Sequence, residues 1–280
     1  MTRKSYYKFL AVEGFCDIVE QRRLKFSNMN AWKNDLKNGD PFENYFSRCF
    51  EEKEAFDNFV KVCSDFGDDK GQILEKLGYL YILSYRTYAL SLTRVSNRNC
   101  MAMWNGYAKE GVRIEFDETL IDYLEKQNKE TLSMVADNVK YRAKMRTLRY
   151  VFGREMEKDF FKRAAFFEKV DAYAYEKEFR IVATKFGIAD AFQMMFIPYA
   201  KEFVLEFGQL KQNIARYLLP YNIIGEDEEY LLGDYLPYIK SVQASPYIPK
   251  SKEQEVKRVC DQHGLYYRGV SQIRNFRFEI

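Results

Sequence analysis

Three charged side chains alternate in the stretch AYAYEKEFRIVATK, residues 172–185: Glu176, Glu178 and Arg180. In an extended chain the even positions share a face, which carries Glu176, Glu178, Arg180, Val182 and Thr184. The odd positions then bury Phe179, Ile181 and Ala183. Two carboxylates roughly 7 Å apart on a strand repel when both are ionised unless a cation compensates, and Arg180 is such a cation. If 172–180 is helical instead, Glu176 and Arg180 form an i,i+4 surface pair of little energetic consequence. The spacing leaves both readings open.

Two further stretches carry side chains suited to a ligand. In SLTRVSNRNCMAMWNGYAKEGVRIEFD, a small polar strand with Ser91 and Thr93 leads into a loop holding Arg94, Ser96, Asn97 and Arg98. Trp104 and Tyr107 follow at helical spacing and face one way, either toward a ligand at the helix edge or into the core. In VKYRAKMRTLRYVFGR, Lys140, Arg142, Lys144 and Arg146 alternate, which on a strand makes a basic face for phosphates or simply a solvated one. In NGDPFE (38–43), Asp40-Pro41 sets a turn that aims Glu43.

Composition narrows the chemistry. The single histidine, His263 in CDQHGL, sits before Gly264 at an expected helix end, so Ser-His-Asp, Cys-His and multi-histidine metal sites are unavailable. Five cysteines, far apart and without a CxxC pair, argue against a disulfide framework or a zinc site and for reduced thiols in a cytoplasmic protein. No metal is expected. A net charge of +3 is too balanced for a chain that binds nucleic acid over its whole surface, so a basic site must be local. Glycine-rich nucleotide loops, HExxH and GxSxG are absent from the sequence. Lys8 and Glu13 interrupt any apolar leader, and no apolar run is long enough for a membrane span. Tyr and Phe, 22 and 23 residues, are dense enough to line a cleft for a flat ligand or to fill an aromatic-rich core.

The elements that must position these groups follow from periodicity. Strands are expected at 6–12, 22–28, 89–96, 111–118 and from 134, with helices at 51–66, 71–89, 97–111, 118–130 and 154–170. At least two of the apolar runs 192–199, 202–207 and 215–221 read as strands, and EDEEYLLGD (226–234) as a surface loop. The tail reads as strand IKSVQASPYI, a helix with Ser251 as N-cap, and strand LYYRGVSQI. The expected fold is α+β: a single domain over 1–280, with a mixed, mainly antiparallel sheet flanked by helices and a C-terminal strand-helix-strand unit.

Taken in order, these segments resemble a bacterial and phage family known as domain of unknown function 2971 (DUF2971). YYKFL with LKFSN resembles its opening strand pair, and NGDPFE its NDPFE motif, with Gly39 inserted. SLTR…MAMWNGYAKEGVRIEFD is similar to its SFS…MWxxYAxxxxGVxIxF block. KVDAYAYEKEFRIV is similar to its KxxxWxxExExRxV block, with Lys169, Glu176, Glu178 and Arg180 in place and Tyr173 where Trp is usual. A small α+β chain bearing ExE on a strand also looks like a distant relative of ADP-ribosyltransferases. That likeness implies an NAD-using enzyme of microbial conflict, such as phage defence or a toxin, with NAD as substrate and a protein or nucleic acid as acceptor. The nicotinamide–ribose bond would break through an oxocarbenium-like state, stabilised by Glu178, while Glu176 orients the acceptor. Trp104, Tyr107 or Tyr173 would stack on nicotinamide, and Lys8, Arg94 or the 140–146 face would meet the pyrophosphate. Glu43, Thr93 and Arg180 complete the expected binding set. The alternative is a non-enzymatic binding or regulatory module whose cleft senses a nucleotide or other small-molecule ligand, a phage protein or a nucleic acid, in which the ExExR row is a structural ion-pair network.

Overall fold

The computed structural model describes residues 4–28, 49–50, 52–77, 87–94, 100–143, 166–185, 205–209, 212 and 228–272. Eleven strands occur among them: β1 (Ser5–Leu10), β2 (Arg23–Asn28), β3 (Thr87–Thr93), β4 (Val112–Asp117), β5 (Leu132–Asn138), β6 (Lys140–Arg142), β7 (Glu168–Val170), β8 (Glu178–Lys185), β9 (Glu228–Leu232), β10 (Ile239–Ala244) and β11 (Tyr267–Val270). Helices α1 (Val12–Val19), α2 (Lys53–Asp65), α3 (Cys100–Tyr107), α4 (Thr119–Asn128) and α5 (Lys250–Gln262) accompany them, and residues 70–77 are also helical.

Nine strands form one sheet in the order β11-β10-β4-β1-β3-β2-β9, with β8 on the other edge of β3 and β5 beyond it. All its pairs are antiparallel except β10 with β11; β6 and β7 form a separate parallel pair. The fold is therefore α+β with a mixed, mainly antiparallel sheet. No helix among the described residues is long and apolar enough to cross a membrane.

Strand alternation sorts the two faces. Tyr6, Leu24, Phe26, Tyr88, Leu90, Leu92, Ile114, Phe116, Phe179, Ile181 and Val242 belong to the main core with α1, α4 and α5. α1 supplies Val12, Phe15, Ile18 and Val19, the i, i+3, i+4 stripe of an amphipathic helix. Each large apolar side chain buried here stabilises the fold by about 1.5–3 kcal/mol. The opposite face carries a smaller cluster in which Phe9 of β1 meets Met103, Trp104 and Ala108 of the α3 segment. Gly111, before β4, lets the chain pass Leu10: a β-carbon there would lie 2.1 Å from the Leu10 carbonyl oxygen.

Several sequence expectations shift. The first strand stops at Leu10, because the chain turns into α1 at Val12. The helix expected at 71–89 has given way to β3 by Thr87, and that expected at 97–111 ends at Tyr107. Within 154–170, residues 168–170 are strand β7. Glu228–Leu232, expected in a loop, is strand β9, paired with β2 from Arg23↔Leu232 to Ser27↔Glu228. The acidic residues masked a β-pattern there that only the partner strand completes. α5 begins after Pro249 as N-cap, so Ser251 lies within its first turn, and no side-chain hydrogen bond caps the helix. His263 does end α5, followed by Gly264 at φ +65°. The described part of 202–207 is not strand, and 192–199, 215–221 and 38–43, with Glu43, lie outside the described residues.

Candidate functional site

Glu178, Arg180, Val182 and Thr184 share the face of β8 opposite the main core, where Thr93↔Glu178 and Ser91↔Arg180 are paired positions on β3. Glu176 is not on the strand. It ends a 3-10 helix, Asp171–Glu176, and Lys177 at φ 42° turns the chain into β8. That left-handed residue is fixed from both sides: its N–H donates to the Ala174 carbonyl at 3.3 Å, and its carbonyl accepts from the Arg94 N–H at 3.2 Å. The Thr93 hydroxyl donates to the Glu176 carbonyl.

The two carboxylates nevertheless converge, because a lysine from β7 stands between them. Lys169 Nζ lies 3.0 Å from Glu176 Oε2 and 2.9 Å from Glu178 Oε2. Arg180 grips Glu178 with two bonds, Nε to Oε1 at 2.8 Å and Nη2 to Oε2 at 3.1 Å, and its Nη1 donates to the Phe166 carbonyl at 2.6 Å. The Ser91 hydroxyl donates to Glu178 Oε1 at 2.5 Å, and the Tyr107 hydroxyl donates to Glu176 Oε1. The Glu178 N–H reaches the Tyr141 oxygen at 2.8 Å. Two carboxylates and two cations thus form a neutral, dry cluster in which Glu176, Glu178 and Arg180 are 3%, 4% and 1% exposed. Burial alone would raise the Glu178 carboxyl, but Arg180 and Lys169 beside it hold it well below the usual carboxylate range. Burial, followed by the bond to Glu176, pushes the Tyr107 phenol up, and burial pushes Tyr141 up to about 12.

Beside this cluster the sheet forks. β3 pairs β1 only at Tyr7↔Thr93 and β2 only at Ser27↔Ala89 and Asn28↔Tyr88, while its whole other edge pairs β8. β1 and β2 therefore share one edge of β3, one at each end, and α1 bridges them. The gap is a groove of about 250 Å³, lined by Lys8, Phe9 and Leu10 from β1, by Gly14, Asp17 and Ile18 from α1, and by Arg23, Lys25, Ser27, Ala89 and Ser91. Lys8 Nζ donates across it to the Ser91 carbonyl at 3.3 Å, where the strand ladder is open. Arg23 pairs with Asp17 at 2.6 Å and stacks on Tyr230 at 4.7 Å. Desolvation lowers the Lys8 amine to about 8, against an opposing pull from Glu178.

The structure brings together Glu176, Glu178, Arg180, Thr93 and Tyr107, with Tyr173 over Lys169 at 5.8 Å. Ser91 joins this group to Lys8. Trp104, Arg94 and the basic 140–146 face stand apart from this group or outside the described residues. Trp104 is 1% exposed in an edge-on contact with Phe9 at 4.8 Å, and its indole N–H has no partner among the described residues. The i,i+3 spacing placed it beside Tyr107, but the helix turns Trp104 inward and leaves Tyr107 half-exposed, so Trp104 has no face for a stacked ring. Arg94 lies over Tyr6 and Phe179, on the other face of the sheet from Glu178. Of the basic 140–146 face, Arg142 is committed to Glu168 by two bonds at 2.8 and 2.9 Å, and 144–146 lie outside the described residues. Arg23 and Lys25 were missed. Their signal was present in RLKFS, where Arg23, Lys25 and Ser27 alternate with core Leu24 and Phe26. Among the described residues, no group of three His, Cys, Asp or Glu is placed to hold a metal ion. In the comparisons with known proteins, no family model, curated protein or solved structure matches the chain.

Proposed function

We propose that the fork between β1 and the β2–β3 pair seats the phosphates of a nucleotide or a related phosphorylated small molecule. The Glu176–Lys169–Glu178–Arg180 cluster then serves as the rigid wall behind it. The observation that carries this reading is the lining: three basic side chains, Lys8, Arg23 and Lys25, against the single carboxylate of Asp17, with the hydroxyls of Ser27 and Ser91 and an apolar side of Phe9, Leu10 and Ile18. An ammonium that donates to a backbone carbonyl at 3.3 Å gains a stronger, charge-assisted bond from a phosphate. Membership of DUF2971 is part of the same proposal and rests on the ordered motifs of the sequence. Calorimetric titration with ADP, NAD and pyrophosphate tests it. Lys8→Gln and Lys25→Gln are each expected to weaken binding about tenfold, the value of one charge-assisted bond. Equal affinity in wild type and both variants removes the groove as the site.

A second reading, an ADP-ribosyltransferase-like enzyme using NAD, is favoured by one contact: Ser91 both lines the groove and donates to Glu178. In that chemistry Glu178 exchanges Ser91 for a ribose hydroxyl and stabilises the developing positive charge. Its measurement is nicotinamide release from NAD. Release by wild type and not by folded Glu178→Gln supports transfer chemistry; no release with any acceptor leaves the binding role.

A further inference from the structure

We propose that Lys8 is a reactive amine that condenses with the carbonyl group of a small anionic aldehyde or ketone seated in the fork. This deepens the reading of the groove as an anion seat and rests on it. Three features converge on Lys8. Lys8 lines the groove together with Phe9, Leu10 and Ile18, and burial disfavours its ammonium form. A second cation, Lys25, lines the same groove and further disfavours the charged form. Its amine donates to a backbone carbonyl at 3.3 Å, and not to a carboxylate that would hold the proton in place. Lysines activated by desolvation and a neighbouring cation are the ones that form Schiff bases. With its amine lowered to about 8, roughly a tenth of Lys8 is neutral at pH 7, about 300 times the share of an ordinary lysine.

The step balances without a further reactant. The neutral amine adds to the carbonyl carbon, both amine hydrogens pass to the carbonyl oxygen, and that oxygen leaves as water while the C=N bond forms. Arg23 and Lys25, which line the same groove, hold the carboxylate or phosphate of the incoming molecule.

The test is reductive trapping with pyridoxal 5′-phosphate and cyanoborohydride, mapped by peptide mass spectrometry. The expected result is labelling at Lys8 at least ~10-fold faster than at any other lysine. The rate should rise with pH up to about 8. Pyridoxal, which lacks the phosphate, should label Lys8 about tenfold more slowly, and Lys8→Arg should remove the fast phase. Label spread evenly over surface lysines, or a fast phase that survives Lys8→Arg, overturns the inference. Pyrophosphate titration keeps it distinct from the anion-seat reading. If pyrophosphate binds and Lys8 is not labelled, only the reactive amine fails. If Lys8 is labelled rapidly with no preference for the phosphorylated aldehyde and pyrophosphate does not bind, the anion seat fails.

Discussion

At the residue scale, Glu178 decides how the buried cluster behaves. Its carboxylate takes two bonds from Arg180, one from Lys169 and one from Ser91. Glu178→Gln leaves two cations facing one carboxylate in a dry interior, and breaking a buried pair in this way costs about 3–5 kcal/mol. Chemical denaturation at pH 7 should show that loss. The pH dependence has a definite sign. The folded-state carboxyl is held below its unfolded value, so its contribution is complete above the unfolded value near 4.5 and is lost as pH falls through the folded one. The gap between wild type and Glu178→Gln should therefore narrow on going from pH 7 to pH 3. Tyr107→Phe removes one bond at a half-exposed position and should cost only about 1 kcal/mol. The alternation of Glu176, Glu178 and Arg180 was legible in the sequence because strand periodicity is local. The place of Lys169 was not, since it depends on β7 lying near β8, and the bend at Lys177 that takes Glu176 off the strand has no glycine to announce it.

At the element scale, the site depends on where strands stop pairing. β1 and β2 leave the same edge of β3 in opposite directions, and the groove exists because α1 spans the difference. The strands themselves were readable from alternation in YYKFL, LKFSN, SLT and VRIEF. Their sharing of one edge was not, because pairing is a long-range property that alternation leaves open. The same limit hid β9, whose acidic residues read as loop until β2 is placed beside it. Two glycines separate close approach from ordinary helix. At Gly111 a β-carbon would meet the backbone of β1, so Gly111→Ala should destabilise by at least ~2 kcal/mol. At Gly106 in α3 nothing lies within 4 Å, so Gly106→Ala should stabilise by about 0.5–1 kcal/mol. Thermal melts of the two variants should move in opposite directions.

At the scale of the whole molecule, one sheet separates two kinds of work. One face buries the main core with α1, α4 and α5; the other carries the ion cluster and opens at the fork. The +3 net charge is small, so a basic groove is a local feature on a balanced surface. Lys8 gives that groove a pH signature. On the proposed phosphate seat, affinity should fall as pH rises above about 8, where the Lys8 amine loses its charge. The unliganded protein should show the opposite trend, gaining stability between pH 8 and 10.5, because there the unfolded chain binds the proton more tightly than the folded one. Calorimetry and melts across pH 6.5–9.5 follow the two trends separately. The most direct test of the fork as a phosphate seat is ADP titration of wild type and Lys8→Gln/Lys25→Gln at pH 7. The double variant should lose at least ~10-fold in affinity while its melting temperature does not fall below that of wild type, because the buried Lys8 charge is removed. ADP bound equally tightly by both proteins would contradict the account.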